Sequence, residues 1–236
     1  MDHLSDGAAG ARQDGAGCAV LCSAGLDSAV LTAHLARTAI VLPVYVSAGL
    51  AWEAAERAAL TRLLASPAFA ARVLPPLSLG FDMRDVYPST HWALTGTPPD
   101  YDTPDEDVYI AGRNIVLLGK AGIACAYRSI PRLAIGPLAG NPFPDATPQF
   151  FETMGRALSL GLAHDITIEA PFANRTKAEV IALGVELGVD LALTLSCMTP
   201  QDGRHCGRCS KCRERRDAFA EAGIEDPTEY AAPAPR

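Results

Sequence analysis

Four cysteines stand close together near the C-terminus, in the spacing C-x8-C-x2-C-x2-C. They are Cys197, Cys206, Cys209 and Cys212. Four thiolates at such short spacing suit a tetrahedral zinc ion with Zn–S bonds of about 2.3 Å, and an iron–sulfur cluster uses the same ligands. We favour structural zinc, because four cysteines close the coordination shell and leave no position open for chemistry. His205 is then a loop residue and not a ligand.

A short stretch near the N-terminus has the composition of an anion-binding turn. It lies between the apolar runs 18–22 and 29–35, which predicts a buried strand, a tight turn and a helix. Backbone N–H groups and the positive end of a helix dipole bind anions at such a junction. An ordinary turn between a strand and a helix has the same composition, so both interpretations stay open. The residues are Ser23, Ala24, Gly25, Leu26, Asp27 and Ser28.

Two basic residues lie at the starts of later predicted helices. Arg113 precedes the apolar run 115–118 and is either a surface cap or an anion ligand. A guanidinium suits phosphate because its planar fork donates two parallel hydrogen bonds. Lys177 follows Thr176, which has capping-box spacing to Glu179. A lysine in the first turn opposes the helix dipole unless it serves an anion, which makes Lys177 a second candidate ligand.

The elements that must position these residues alternate between strands and helices. Nearly continuous apolar runs are typical of parallel strands covered on both faces. The pattern predicts strands at 18–22, 39–46, 73–79, 133–136 and 166–169, and helices that include 51–64, 147–162 and 176–187. This order predicts an α/β fold with a doubly wound parallel sheet, which binds ligands at the carboxyl ends of its strands.

Two segments are candidate binding loops. Residues 87–107 are too long and too rich in proline for a simple connection, and they form either a lid or a mobile surface excursion. The Gly/Pro-rich segment 140–148 follows a predicted strand, at the edge of the sheet where ligands bind.

Composition limits the classes of partner. The chain has 236 residues and a net charge of −7, which argues against non-specific binding to nucleic acid. No apolar run reaches the roughly 18 residues of a membrane span, and residues 1–17 lack the features of a secretory signal. We therefore expect a cytoplasmic protein with a disordered leader (1–17), one main domain (18–190) and a C-terminal helical zinc-binding segment (191–230).

Four segments together resemble the 7-cyano-7-deazaguanine synthase family of PP-loop ATP pyrophosphatases. Residues 23–28 are close to the PP-loop Ser-Gly-Gly-x-Asp-Ser, with Ala24 in place of a glycine, and no Walker-type Gly-Lys-Ser/Thr follows. Residues 109–114 are similar to Tyr-Val-Pro-Ala-Arg-Asn, residues 176–180 to Thr-Lys-Ala-Glu-Ile, and residues 205–212 to the family's zinc segment.

The resemblance implies an adenine nucleotide α-hydrolase-like, Rossmann-like domain that uses ATP and magnesium and holds structural zinc. It implies an ATP-dependent carbon–nitrogen ligase of queuosine-type biosynthesis, which adenylates 7-carboxy-7-deazaguanine and lets ammonia convert the acyl adenylate to an amide and then a nitrile. Asp27, Arg113 and Lys177 would be the catalytic residues, and the PP-loop with Arg113 and Lys177 would bind ATP. The family also suggests a homodimer.

The substrate half departs from the family pattern. The family's substrate loop is longer, and its Cys-Arg pair is here Ala146-Thr147. We predict that substrate binds to Gly140, Asn141, Phe143, Asp145 and Thr147. A changed polar site changes specificity, so a paralogue that adenylates a different carboxylate stays open.

Two other classes remain. An RNA sulfurtransferase would need a reactive cysteine and a basic face, but Cys18, Cys22 and Cys125 lie in apolar runs and the net charge is negative. A non-catalytic nucleotide-binding partner of a larger assembly is the other alternative.

Overall fold

A five-stranded parallel sheet runs through the computed structural model, which describes residues 15–235. Its strands are β1 (Cys18–Leu21), β2 (Val41–Ser47), β3 (Leu77–Gly80), β4 (Arg132–Ala134) and β5 (Thr167–Glu169). They lie in the order β3-β2-β1-β4-β5, and every pair is parallel. The predicted α/β, doubly wound sheet is confirmed.

Seven helices surround the sheet within the described range. They are α1 (Leu26–Ala36), α2 (Glu53–Leu64), α3 (Trp92–Thr95), α4 (Arg113–Ala126), α5 (Pro148–Leu162), α6 (Lys177–Glu186) and α7 (Ser210–Ala222). One apolar core gathers side chains of α1, α2, α6 and α7 on one face of the sheet. A second core gathers α4 and α5 on the other face. Strands β1 and β2 are buried along nearly their whole length, as their apolar sequences require.

The third strand differs from its prediction. The sequence pattern predicts a strand at 73–79, but β3 begins only at Leu77. Val73 forms an isolated bridge to Val41 before the pairing stops. Pro75 and Pro76 have no N–H to donate to the sheet, which separates the bridge from the strand.

The structure describes only the last residues of the predicted leader but all of the predicted zinc-binding segment. Residues 1–14 of the predicted leader lie outside the described residues. Gly17, the last residue of that leader, donates its N–H to the Ile40 carbonyl at 2.9 Å. At the C-terminal end, α7 packs against α6, with Cys209 as its N-cap residue and Cys212 in its first turn. None of the helices within residues 15–235 is long and apolar enough to cross a membrane.

Candidate functional site

A cavity of about 380 Å³ opens at the carboxyl ends of β1 and β4. These neighbouring strands are followed by helices on opposite faces of the sheet, which creates a crevice outside their ends. The same cavity is lined by most residues of the 23–28 turn, by Arg113 and by Lys177. The fold thus brings together three segments that the sequence analysis selected independently.

The 23–28 turn presents unused backbone donors to this cavity. Helix α1 begins at Leu26 after Gly25, and its first intrahelical bond runs from the Ala29 N–H to the Gly25 carbonyl at 2.9 Å. The N–H groups of the three preceding residues therefore have no acceptor within the helix. The Ser28 hydroxyl donates to the Gly25 carbonyl at 3.0 Å and accepts from the Ser23 N–H at 3.4 Å, which fixes the shape of the turn. The arrangement suits an anion such as phosphate.

Ala24 adopts a backbone conformation that glycine prefers. Its φ is 64°, in the left-handed region, and its methyl group is fully buried. Its carbonyl accepts the Leu195 N–H at 2.8 Å, which ties the turn to the segment before the first cysteine. The glycine that stands here in PP-loops is thus replaced at a position where an L residue is strained.

Asp27 and Lys177 form an ion pair in the cavity wall. Lys177 Nζ lies 3.3 Å from Asp27 Oδ2, while Asp27 Oδ1 is buried and has no hydrogen-bond partner among the described residues. Burial raises the pKa of Asp27, and Lys177 opposes that rise. Burial alone would lower the pKa of Lys177, but Asp27 and Glu214 together raise it. Lys177 is therefore protonated and positively charged at neutral pH. The Oδ1 atom of Asp27, which has no hydrogen-bond partner among the described residues, is suited to binding a cation.

The start of α6 is built as predicted. Thr176 and Glu179 form a capping box, in which the Thr176 hydroxyl accepts from the Glu179 N–H and the Glu179 carboxylate accepts from the Thr176 N–H. The box fixes the first turn, from which Lys177 reaches the cavity.

Arg113 begins α4 and also lines the cavity. Its Nε is buried and has no hydrogen-bond partner within residues 15–235. A guanidinium that lines a cavity and keeps an unpaired N–H can bind an anion.

Two buried carboxylates that the sequence patterns do not single out, Glu53 and Glu56, also line the cavity. Glu53 accepts the Ala48 N–H at 2.6 Å, and Glu56 accepts from the Tyr45 hydroxyl at 3.1 Å and the Trp52 indole at 3.2 Å. Burial raises the pKa of Glu56 to about 7, which the positive charge of Arg113 partly opposes. The available signal was a pair of acidic residues in the first turn of the helix that follows a buried parallel strand.

The predicted substrate loop divides into two groups. Gly140 and Asn141 line the cavity. The other three predicted residues are not among the described residues that line it, and each has a partner elsewhere. The Phe143 ring stacks on Tyr109 with centroids 5.2 Å apart, Asp145 accepts the Asn114 N–H at 3.1 Å, and the Thr147 hydroxyl caps α5 by accepting the Phe150 N–H at 3.1 Å.

The four cysteines converge to a metal-binding arrangement. Their Sγ atoms all lie within 4.8 Å of one another, with individual separations of 3.5, 3.8 and 4.0 Å. Tetrahedral zinc with Zn–S bonds of about 2.3 Å needs sulfur atoms about 3.8 Å apart, so the donor set fits a metal ion. Backbone N–H groups donate to Cys197 Sγ from Cys206 and Thr199, and to Cys206 Sγ from Arg208. Such bonds hold thiolate ligands in orientation.

His205 lies beside this cluster but is used elsewhere. Its Nε2 accepts the Ser196 N–H at 3.1 Å, and burial lowers its pKa to about 3.

The three arginines that follow the cluster all have structural partners. Arg213 donates to the Thr103 carbonyl, Arg215 is fully buried, and Arg216 donates to the Gly207 carbonyl.

The long segment 87–107 packs against the metal-binding segment. Asp100 forms an antiparallel bridge with Cys209, and Asp105 lies 3.5 Å from Lys211. Trp92 and Asp105 line the cavity, and the Trp92 ring stacks on Trp52 with centroids 5.7 Å apart. The segment therefore forms part of the cavity wall.

Residues 17–223 match the family model described as queuosine biosynthesis protein QueC. Among curated proteins, the chain is similar to 7-cyano-7-deazaguanine synthases of three organisms. The one from Azoarcus sp. (strain BH72) is 43% identical over 52% of this chain and 58% of that protein. The one from Anaeromyxobacter dehalogenans (strain 2CP-C) is 37% identical over 52% and 56%. The one from Caldicellulosiruptor bescii is 31% identical over 69% and 78%.

The chain spans little more than half the length of the first two of these relatives. Among solved structures, it is similar to UDP-glucuronic acid 4-epimerase from Bacillus cereus with a TM-score of 0.33 and 11% identity, over 64% of this chain and 55% of that one.

Proposed function

Because the chain belongs to the QueC family, we propose that it is an ATP-dependent, AMP-forming ligase acting on a carboxylate similar to 7-carboxy-7-deazaguanine. The observation that carries the proposal is the convergence of three features on one cavity: the open donors of the 23–28 turn, Lys177 and Arg113. Together they offer backbone N–H groups, an ammonium and a guanidinium to the phosphates of one nucleotide.

The proposed chemistry proceeds by adenylation. A carboxylate oxygen of the substrate attacks the α-phosphorus, the bond between the α- and β-phosphates breaks, and pyrophosphate leaves. Ammonia then attacks the acyl carbon and AMP leaves, which gives an amide. A second ATP adenylates the amide oxygen, and loss of AMP and a proton gives the nitrile. No protein nucleophile is needed, so the residues act by positioning and by charge.

Each residue has a distinct part in this scheme. The turn and Lys177 hold the phosphates that become pyrophosphate and offset the charge that develops on them. Arg113, which also lines the cavity, would orient the α-phosphate through its guanidinium. Segment 87–107, which contributes Trp92 and Asp105 to the cavity wall, would help to shield the acyl adenylate from water.

Two metal ions fit the chain. Asp27 would hold magnesium through its unpartnered Oδ1, where the ion supplies positive charge against the phosphates. The four cysteines would hold zinc in a closed structural site, as the separations of their sulfur atoms allow. We propose that residues 18–190 form the ATP-binding domain and residues 191–230 the zinc-binding segment.

An assay of product and AMP tests the proposal. The protein is incubated with ATP, magnesium, ammonia and 7-carboxy-7-deazaguanine, and AMP and the product mass are measured. Release of AMP together with the amide or nitrile supports the synthase. ATP binding without AMP release, across a panel of carboxylates and amines, would instead favour a nucleotide-binding partner.

A paralogue that adenylates another carboxylate is the second candidate. Its support is that Phe143, Asp145 and Thr147 are engaged in the scaffold, while Trp52, Glu53 and Glu56 occupy the cavity wall. AMP release with a different carboxylate, and none with the deazaguanine, would select this candidate.

The sulfurtransferase alternative has less support. Burial raises the pKa of Cys18 to about 11 and of Cys125 to about 12, and it also raises that of Cys22. These thiols are therefore poor nucleophiles near neutral pH.

We also propose a homodimer. Its support is a set of exposed apolar side chains on the outer helices, including Ile115 and Ile123 on α4 and Leu160 on α5. Exposed apolar patches mark association surfaces in many proteins. Light scattering after size-exclusion chromatography gives the oligomeric state, and a monomer at micromolar concentration would contradict this proposal.

A further inference from the structure

Lys177 is held by two carboxylates from different parts of the chain. Besides Asp27, it contacts Glu214 Oε1 at 2.5 Å. Glu214 lies on α7, two positions after the last cysteine of the cluster. The Lys177 side chain is only 14% exposed and that of Glu214 only 24%, so solvent screens this pair weakly.

Glu214 also holds a second lysine. Its Oε2 accepts from Lys211 Nζ at 2.7 Å, and Lys211 lies 3.5 Å from Asp105. The five side chains form a line of alternating charge from the long segment to the anion-binding turn: Asp105, Lys211, Glu214, Lys177 and Asp27. All five line the cavity.

Glu214 is central because it is the only group in this line that contacts two cations. A carboxylate next to an anion-binding site opposes anion binding by repulsion, so its presence here needs a reason. Without it, Lys177 would have Asp27 as its sole ionic partner and would be drawn to that carboxylate. Lys211 would keep only the longer contact with Asp105.

We propose that Glu214 is a positioning residue that holds the ammonium groups of Lys177 and Lys211 side by side at the cavity, facing the anion bound by the 23–28 turn. In this role, Glu214 couples the position of the metal-binding segment to the position of Lys177 at the nucleotide site. The inference rests on the proposed function, since the anion is the pyrophosphate part of ATP.

The affinity of the protein for magnesium pyrophosphate, measured by calorimetry, shows whether Glu214 strengthens or weakens anion binding. If Glu214 positions the lysines, E214Q binds pyrophosphate about tenfold more weakly, even though a negative charge beside the anion has been removed. If Glu214 acts only by repulsion, E214Q binds more tightly. Equal or tighter binding would overturn the inference.

The matched control is E221Q, on the same helix. Glu221 is exposed and takes part in no ion pair within residues 15–235, so E221Q should bind pyrophosphate as the unmodified protein does. Zinc content and melting temperature are measured for both variants. A loss of metal in E214Q alone would show a structural role and overturn the positioning role.

A thermodynamic cycle separates positioning from general destabilisation. If Glu214 acts through Lys177, most of the effect of E214Q disappears in a K177A background. Additive losses would overturn the role through Lys177. If the unmodified protein binds neither pyrophosphate nor ATP, the proposed function itself fails. If it binds both and E214Q is normal, only this inference fails.

Discussion

Asp27 lies in the first turn of α1 with one carboxylate oxygen paired to Lys177 and the other buried without a partner. We expect D27N to reduce AMP formation at least about 100-fold, because the amide keeps the shape but cannot neutralise a cation at the phosphates. AMP release measured by chromatography checks this. D85N, at an exposed carboxylate, is the control and should keep its activity and melting temperature. Retained activity in D27N would remove Asp27 from the phosphate site.

Glu56 is expected to make stability depend on pH. Its pKa is raised by burial from 4.5 to about 7, so the stabilisation tied to its protonated form is complete below about pH 4.5 and is lost as the pH rises through about 7. Glutamine does not ionise, so the unfolding free energy of E56Q should not fall for this reason as the pH rises. Between pH 5 and 8, the unmodified protein should lose of the order of 2 kcal/mol more unfolding free energy than E56Q.

Urea unfolding at both pH values measures the difference for Glu56. E152Q, at an exposed carboxylate of α5, should follow the unmodified protein. Parallel pH curves for E56Q and E152Q would show that Glu56 is ionised throughout the range.

At the scale of single residues, the sequence patterns lead to residues that share one cavity, while their roles in binding and catalysis are proposals. The 23–28 turn, Arg113 and Lys177 reach one cavity, because each begins or precedes a helix at the same edge of a parallel sheet. Glu53 and Glu56 were missed because a buried carboxylate is identified by its three-dimensional donors, which the linear sequence does not show.

Helix α7 depends on a buried arginine. Arg215 is fully buried and donates to Thr194, to the Leu191 carbonyl and to Thr228, with Asp226 at 3.7 Å. We expect R215M to destabilise the protein by about 3 kcal/mol, because it leaves these acceptors buried without their donor.

Chemical unfolding gives the free energy for this prediction. R208A, at an exposed arginine just before α7, should change the unfolding free energy by less than about 0.5 kcal/mol. Equal effects of R215M and R208A would contradict the importance of burial.

At the scale of elements, strongly patterned segments were predictable and proline-rich ones were not. Helix α5 begins at Pro148 after the Thr147 cap and ends at Leu162, as the sequence predicts. Helix α3 was missed because it is a single short turn within segment 87–107. Its position is set by packing, through the stacking of Trp92 on Trp52, and not by local propensity.

For the whole molecule, the metal cluster should control the shape of the cavity. We expect C209S to lose its bound metal and to melt at a lower temperature, because a tetrahedral site with three thiolates binds zinc more weakly. Metal analysis and calorimetry measure both quantities. C125S, a buried cysteine away from the cluster, is the control and should keep its metal. Unchanged metal content in C209S would remove the structural-zinc proposal.

The overall architecture could be predicted from the sequence more completely than the contacts between distant segments could. The order of strands and helices was enough to predict the parallel sheet, and the cysteine spacing was enough to predict a cluster. The packing of segment 87–107 on that cluster could not be predicted, because Asp100 and Cys209 are separated by more than a hundred positions and no local pattern links them.

The cavity wall draws on residues as distant in the chain as Leu21 and Glu214. During synthesis on the ribosome, the strands and the turn emerge long before α7 and the last cysteines, and contacts between distant segments form late. Under the proposed function, a nascent chain would therefore cleave ATP only after α7 has been released and the four cysteines have bound metal. Metal supply in the growing cell would then limit how many completed chains become active.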